Sequence, residues 1–93
     1  MAHAQNVGKL SGRDTDAATG DPLIGANVFL PAISRGAATD VDGNYTILGI
    51  PVGEYDIQYS YTGYQSQTID GVEISQGRTR TLDIQLSGTE HGE

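Results

Sequence analysis

A strict alternation of polar and large side chains over residues 54–61 constrains the fold of this chain more than any other feature. Every second position is aromatic or aliphatic, and these positions are Tyr55, Ile57, Tyr59 and Tyr61. A helix would distribute such side chains around its circumference, whereas a β-strand places them all on one face. The segment is therefore predicted to be a strand whose tyrosines fill the core.

Shorter segments with the same alternation fill most of the remaining chain. The 13 glycines recur with a spacing typical of the turns in a sandwich or barrel, and Asp42-Gly43 has the composition of a hairpin turn. No segment keeps a helical period over three turns. We therefore predict an all-β fold of about seven mostly antiparallel strands. The residues predicted to face the core are Leu10, Val28, Leu30, Tyr45, Ile47, Tyr55, Ile57, Tyr59, Leu82, Ile84 and Leu86.

Individual strands differ in how clearly the sequence marks them. Gly8–Arg13 is predicted to be a weak first strand, while the alternation through Leu82, Ile84 and Leu86 strongly predicts the last one. Tyr64–Asp70 and Val72–Ile74 are predicted to be two separate segments because Gly71 divides them.

Charge and composition exclude several classes of function. The net charge is −7, with 5 Lys and Arg residues, so the chain lacks the basic surface that nucleic-acid binding requires. No apolar run is long enough for a transmembrane helix, so direct membrane insertion is not expected. The absence of Cys excludes disulfides, thiol catalysis and thiolate zinc. No cofactor is expected.

The two ends of the chain differ in composition from the middle. Ala2-His3-Ala4 has the small-x-small form of a signal-peptidase site, with vector sequence or chance as the alternative explanation. We predict a polar tail over residues 1–7, a β-sandwich over residues 8–87 and a linker over residues 88–93. On this interpretation the domain is exported to the periplasm, the outer membrane or the cell surface.

Catalysis is not expected, and no catalytic residue is assigned. The histidines, His3 and His91, lie in the two tails, so no Ser-His-Asp arrangement can form within the core. The paired carboxylates, Asp14 with Asp16 and Asp40 with Asp42, lie among turn residues, where Asp is common because it binds nearby backbone.

Two further patterns bear on ligands. Asp40, Asp42 and Asn44 resemble half of a calcium loop, but a strand is predicted from Tyr45 where such a loop would continue; a hairpin turn is favoured and no metal is expected. Phe29 lies on the polar side of its strand and Tyr64 lies beyond a turn, so these two are the candidates for exposed contact with a glycan or peptide.

The order of the turn and strand motifs resembles the carboxypeptidase regulatory-like domain. The motifs that carry this resemblance are Gly12-Arg13-Asp14-Thr15-Asp16, Thr19-Gly20-Asp21-Pro22-Leu23-Ile24-Gly25-Ala26-Asn27-Val28, Gly36-Ala37-Ala38-Thr39-Asp40, Asp42-Gly43-Asn44-Tyr45 and Ser60-Tyr61-Thr62-Gly63-Tyr64. The resemblance implies a transthyretin-like, seven-stranded Greek-key sandwich over about residues 8–86.

The same resemblance suggests what the domain does. It implies a non-catalytic accessory or interaction domain at the N-terminus of a TonB-dependent outer-membrane transporter, in contact with the parent chain or with periplasmic envelope proteins. The alternative is a carbohydrate- or peptide-binding module attached to a secreted enzyme.

Two positions depart from the family pattern. Asp14 stands where Val or Ile is usual, and alternation with Leu10 and Gly12 points it inward. Because a buried unpaired carboxylate is costly, we expect Asp14 to lie at the end of the sandwich or to have a partner. Pro31-Ala32-Ile33 replaces the usual Gly-Thr turn, which leaves the shape of that loop open.

Overall fold

The computed structural model describes residues 6–88 as two packed β-sheets. The elements are β1 (Val7–Asp16), β2 (Asn27–Leu30), a 3-10 turn (Pro31–Ile33), β3 (Arg35–Ala38), β4 (Asn44–Pro51), β5 (Gly53–Ser60), β6 (Gln67–Ile74), β7 (Thr79–Thr81) and β8 (Ile84–Leu86). β7 and β8 pair with successive parts of β1, so they act as one interrupted strand. The predicted all-β sandwich of seven strands is confirmed.

β1 is the central strand of the first sheet. It pairs antiparallel with β4 on one side and parallel with β7 and β8 on the other. The predicted first strand over Gly8–Arg13 is confirmed, but it is longer than predicted: β1 has 10 residues and ends at Asp16. Its small residues (Gly8, Ser11, Gly12) have little strand propensity. Hydrogen bonding to strands on both sides stabilises β1 in spite of this.

The second sheet has the order β3-β2-β5-β6, and all its pairings are antiparallel. The two segments predicted on either side of Gly71 are joined in the single strand β6, which begins at Gln67 and not at Tyr64. Gly71 has a φ of 66° and lies where the register between β5 and β6 shifts, so it is a bulge within a strand and not a turn between strands.

The core lies between the facing sides of the two sheets. Of the eleven residues predicted to face it, ten are buried, and Leu82 is partly buried at the interruption between β7 and β8. The alternation prediction did not include the buried residues Leu23, Ala26, Ile50, Val72 and Ile74. Tyr61, predicted to lie in the core, follows the end of β5 and is half-buried.

Pro31 ends β2 as expected, because proline cannot continue the ladder. The loop left open by the sequence is a 3-10 turn that closes with Ser34 in the left-handed region at φ 52°. Residues 6–88 contain no helix that is long and apolar enough to cross a membrane.

The loops at one end of the sandwich are joined by a buried threonine. The Thr39 hydroxyl donates to the Leu23 carbonyl and accepts from the Ala26 backbone N–H at 2.8 Å. Its side chain is 5% exposed. One hydroxyl therefore satisfies two backbone groups that lead into β2.

Replacing Thr39 with valine should destabilise the fold by about 1–3 kcal/mol, because valine keeps the shape but leaves a buried N–H and a buried C=O without partners. Urea denaturation of T39V measures the loss. The control is Thr46→Val on the exposed side of β4; equal midpoints for the two variants would contradict the assigned role of the Thr39 hydroxyl.

Candidate functional site

The proposed calcium residues form a turn whose carboxylate is already used. Asp40 Oδ1 accepts hydrogen bonds from the backbone N–H groups of Asp42 and Asn44, both at 2.9 Å. Gly43 has a φ of 80°, but the predicted hairpin was wrong: β3 and β4 lie in different sheets, so this turn connects the two sheets. Within residues 6–88, no cluster of three or more His, Asp or Glu side chains is placed to hold a metal. His3 and His91 lie outside the described residues.

Tyr64 lies against a loop and is half-buried. Its hydroxyl donates to Asp16 Oδ2, and its ring centroid is 5.4 Å from that of Tyr61. The hydrogen bond from Tyr64 lowers the pKa of Asp16, and the same bond raises the pKa of Tyr64. Asp16 Oδ1 also accepts from the N–H of Ala18 at 2.7 Å. Tyr64 therefore holds two loops together and offers a ligand only part of its ring.

Phe29 is exposed on the outer side of the second sheet. Its side chain is 39% exposed and lies directly opposite Gly36 on β3 and Gln58 on β5. A Cβ atom on Gly36 would be 3.2 Å from Cδ1 of Phe29, so the ring lies beside the bare glycine backbone. The same Cβ would lie 2.5 Å from the Val28 carbonyl oxygen, so glycine is needed there for the close approach of the two strands, and a surface depression lies next to the ring.

This depression, which we call the Phe29 surface, is uncharged throughout. Its lining residues are Asn27, Val28, Phe29, Gly36, Ala37, Gln58 and Ser60. Carboxylates of the same sheet lie away from this depression, where Glu54 of β5 directly opposes Glu73 of β6. The Phe29 surface thus combines an aromatic ring with amide and hydroxyl groups, a chemistry suited to neutral ligands. Phe29 is exposed, as the alternation pattern predicts, but its neighbours could be identified only from the strand register.

A second unusual site is buried in the core. Tyr45 donates its hydroxyl proton to the Leu82 carbonyl at 2.8 Å, and its oxygen lies 2.8 Å from the Tyr59 hydroxyl. Because the Tyr45 proton is used on Leu82, Tyr59 must be the donor between the two hydroxyls. The rings meet edge to face with centroids 5.8 Å apart. Burial raises the pKa of both tyrosines, that of Tyr59 to about 12, so both stay neutral at physiological pH.

Asp14 lies beside this tyrosine pair without a hydrogen bond. Its side chain is 0% exposed, and neither carboxylate oxygen has a partner among the described residues. Its backbone adjoins the loops at one end of the sandwich, where its N–H donates to the Gly43 carbonyl at 2.8 Å. Of the two alternatives expected for Asp14, a partner is not found among the described residues, because both nearby tyrosine protons are donated elsewhere. Its place beside these loops agrees with the other alternative, a position at the end of the sandwich.

The electrostatics of Asp14 follow from this isolation. Burial, and then the nearby Asp83 carboxylate, raises the pKa of Asp14 to about 7. Asp83 itself accepts a hydrogen bond from the backbone N–H of Arg13 at 3.1 Å. This contact lies on the side of β1 away from β4, in the gap between the pairings with β7 and β8. A buried acid with a raised pKa can belong to a functional site, but Asp14 lines none of the surface depressions around it.

Comparison with known proteins identifies the family. The family model of the carboxypeptidase regulatory-like domain matches residues 9–87. The chain belongs to this family. Two curated relatives of this carboxypeptidase regulatory-like domain are TonB-dependent receptors. One, P39 of Formosa agariphila, is 34% identical over 68 residues, which are 73% of this chain and 6% of the receptor. The other, SusC of Bacteroides thetaiotaomicron, is 43% identical over 51 residues, which are 55% of this chain and 5% of the receptor.

The same regulatory-like domain resembles solved structures of low sequence identity, which supports the fold alone. The minor pilin GBS52 of Streptococcus agalactiae matches with a TM-score of 0.68 and 20% identity, over 97% of this chain and 48% of the pilin chain. The domain therefore has a widely used sandwich fold, and it spans only about a twentieth of the curated receptors that it matches.

Proposed function

We propose that this domain is a non-catalytic interaction module of a TonB-dependent outer-membrane transporter, exported and located on the periplasmic side as an N-terminal extension. The observation that carries the proposal is the match to two TonB-dependent receptors, in which the similar segment is one small part of a much longer chain. Such a segment has the size of one accessory domain.

The properties of the folded chain agree with a docking role. The Asp40 carboxylate serves its own turn and Tyr64 serves a loop contact, so these polar groups are accounted for by the structure of the domain. The uncharged Phe29 surface is instead available on an otherwise acidic protein. A partner that binds there would be recognised by shape and hydrogen bonding and not transformed chemically.

The first test of this function is the coding sequence beyond Glu93. We expect a plug domain followed by many amphipathic strands; a peptidase or glycosidase domain there would contradict the proposal. In the full-length transporter, deletion of residues 8–87 should leave the amount of receptor in the outer membrane unchanged and reduce substrate uptake. Uptake equal to that of the intact receptor would show that the domain has no role in transport.

A further inference from the structure

β3 is the exposed edge of the second sheet. The Thr39 N–H donates to the Ala26 carbonyl, and in an antiparallel ladder the residues that bond to a neighbour alternate along the strand. Given the pairing of Val28 with Ala37 and of Phe29 with Gly36, the backbone groups of Gly36 and Ala38 point away from β2. Both residues are exposed, so their N–H and C=O groups are open to an additional strand.

The other sheet edges in residues 6–88 carry features that hinder strand addition. On β4, the Arg35 guanidinium donates to the carbonyls of Gly49, at 2.9 Å, and Leu48. On β6, the Gly71 bulge breaks the register. β7 and β8 are three residues each and are separated from one another. Proteins commonly protect edges in such ways. On β3 the hydrogen bonds to β4 come from Arg35, and the rest of the strand, residues 36–38, has no bulge, proline or charged side chain.

The Phe29 surface lies next to this open edge. Gly36 and Ala37 of β3 line it, and the small side chains of β3 leave room beside the Phe29 ring. On a strand added to β3, a side chain opposite Gly36 would stand on the same side of the sheet as Phe29. The edge and the surface together form one continuous site.

We propose that the β3 edge binds an extended peptide segment of a partner protein by strand addition, with an apolar side chain of that segment against Phe29. This inference rests on the proposed interaction function and specifies its site. The carboxylates of Asp40 and Asp42 lie in the turn that follows β3, and the chain carries a net charge of −7. Charge complementarity therefore selects a neutral or basic peptide and disfavours a second copy of this acidic chain.

The test uses the 93-residue chain and a capped heptapeptide of alternating threonine and valine with a lysine at each end. At saturating peptide, amide hydrogen exchange followed by NMR should slow at Gly36 and Ala38 by about tenfold or more, and resonances of the Phe29 ring should shift. A version with glutamate at both ends should bind more weakly. Absence of protection at Gly36 and Ala38 would overturn the proposal.

Two variants locate the site and one serves as control. Ala38→Pro removes an outward N–H that β2 does not use and should abolish the protection of Gly36; Phe29→Ala should weaken binding several-fold. Leu48→Ala truncates another exposed apolar residue on the first sheet and should bind as the unaltered chain does. Amide spectra of each variant without peptide establish that it is folded. Equal peptide affinity in all three variants would overturn the site.

Other occupants give distinguishable results. Suppose that the Phe29 ring resonances shift with a neutral glucan such as laminarin, while the peptide neither binds nor protects the amides. The ligand would then be a glycan and not a peptide. Protection of Gly36 and Ala38 could also rise with protein concentration alone, with a doubled mass in sedimentation. The occupant of the edge would then be a second copy of this chain and not a peptide. In the full-length transporter, deletion of residues 8–87 could reduce uptake while A38P leaves uptake normal. That result would support the interaction function and contradict its assignment to the β3 edge.

Discussion

Replacing Asp14 with valine should raise the free energy of unfolding at pH 8 by about 4 kcal/mol or more. The pKa of Asp14 is raised from 3.8 to about 7 in the folded protein, so the proton is bound more tightly in the folded than in the unfolded state. Each unit of pKa difference is worth about 1.4 kcal/mol. Valine removes this ionisation cost, and it also removes a buried polar group that has no hydrogen-bond partner.

The pH dependence has a definite sign. Below about pH 4, Asp14 is protonated in both states and has no ionisation cost. Between pH 4 and 7 the unfolded chain releases the proton while the folded chain keeps it, so stability falls as the pH rises. Above about pH 7 Asp14 is ionised in both states, and the folded state carries the full free-energy cost of the buried charge. This is opposite to the contribution of Asp16, whose lowered pKa makes its contribution decline as the solution becomes more acidic.

Chemical denaturation of the unaltered chain, D14V and D14N at several values between pH 4 and 8 checks this prediction. Asparagine is nearly isosteric and cannot ionise, so D14N should lose the Asp14 part of the pH slope but retain the cost of a buried polar group. D14V should lose both. A pH slope in D14N equal to that of the unaltered chain would show that Asp14 does not titrate as described.

The features that sequence analysis predicted well are those that depend on local alternation. Tyr55, Ile57 and Tyr59 face the core because residues two apart in a strand share a side, and no tertiary information is needed to see it. The central position of β1 was not predictable in this way. β1 is stabilised by pairing with β4, β7 and β8, which are distant from it in sequence. The small residues of β1 do not themselves indicate a central strand.

The candidate sites show the same division. Phe29 was recognised from its place on the polar side of a strand, but the depression beside it depends on the register that brings Gly36 and Gln58 next to it. The inward direction of Asp14 was also predicted from alternation. Its lack of a partner was not, because it depends on how Tyr45 and Tyr59 donate their protons, which a pattern of residue types does not specify.

Replacing Gly12 with alanine should destabilise the fold by about 3 kcal/mol or more, a large share of the stability of a small domain. A Cβ atom at this position would lie 1.7 Å from the Leu82 carbonyl oxygen and 2.6 Å from its carbon, both backbone atoms. The Leu82 carbonyl would have to move away from β1, although the N–H of the same residue donates to the Ser11 carbonyl at 2.8 Å and holds Leu82 against β1. The substitution should therefore separate the interrupted last strand from β1.

Two further variants identify the cause of the G12A effect in the same denaturation experiment. Gly88→Ala is the control, because its nearest contact would be an ordinary 3.8 Å, and it should leave stability almost unchanged. Tyr45→Phe removes the hydroxyl that a Cβ on Gly12 would approach to 2.9 Å. Because the main collision is with backbone, Y45F should not rescue G12A, and the hydrogen bond from Tyr45 to Leu82 should already be broken in G12A. If Y45F restored the stability of G12A, glycine would be required at position 12 because of the Tyr45 hydroxyl. The Leu82 carbonyl would then be able to move aside.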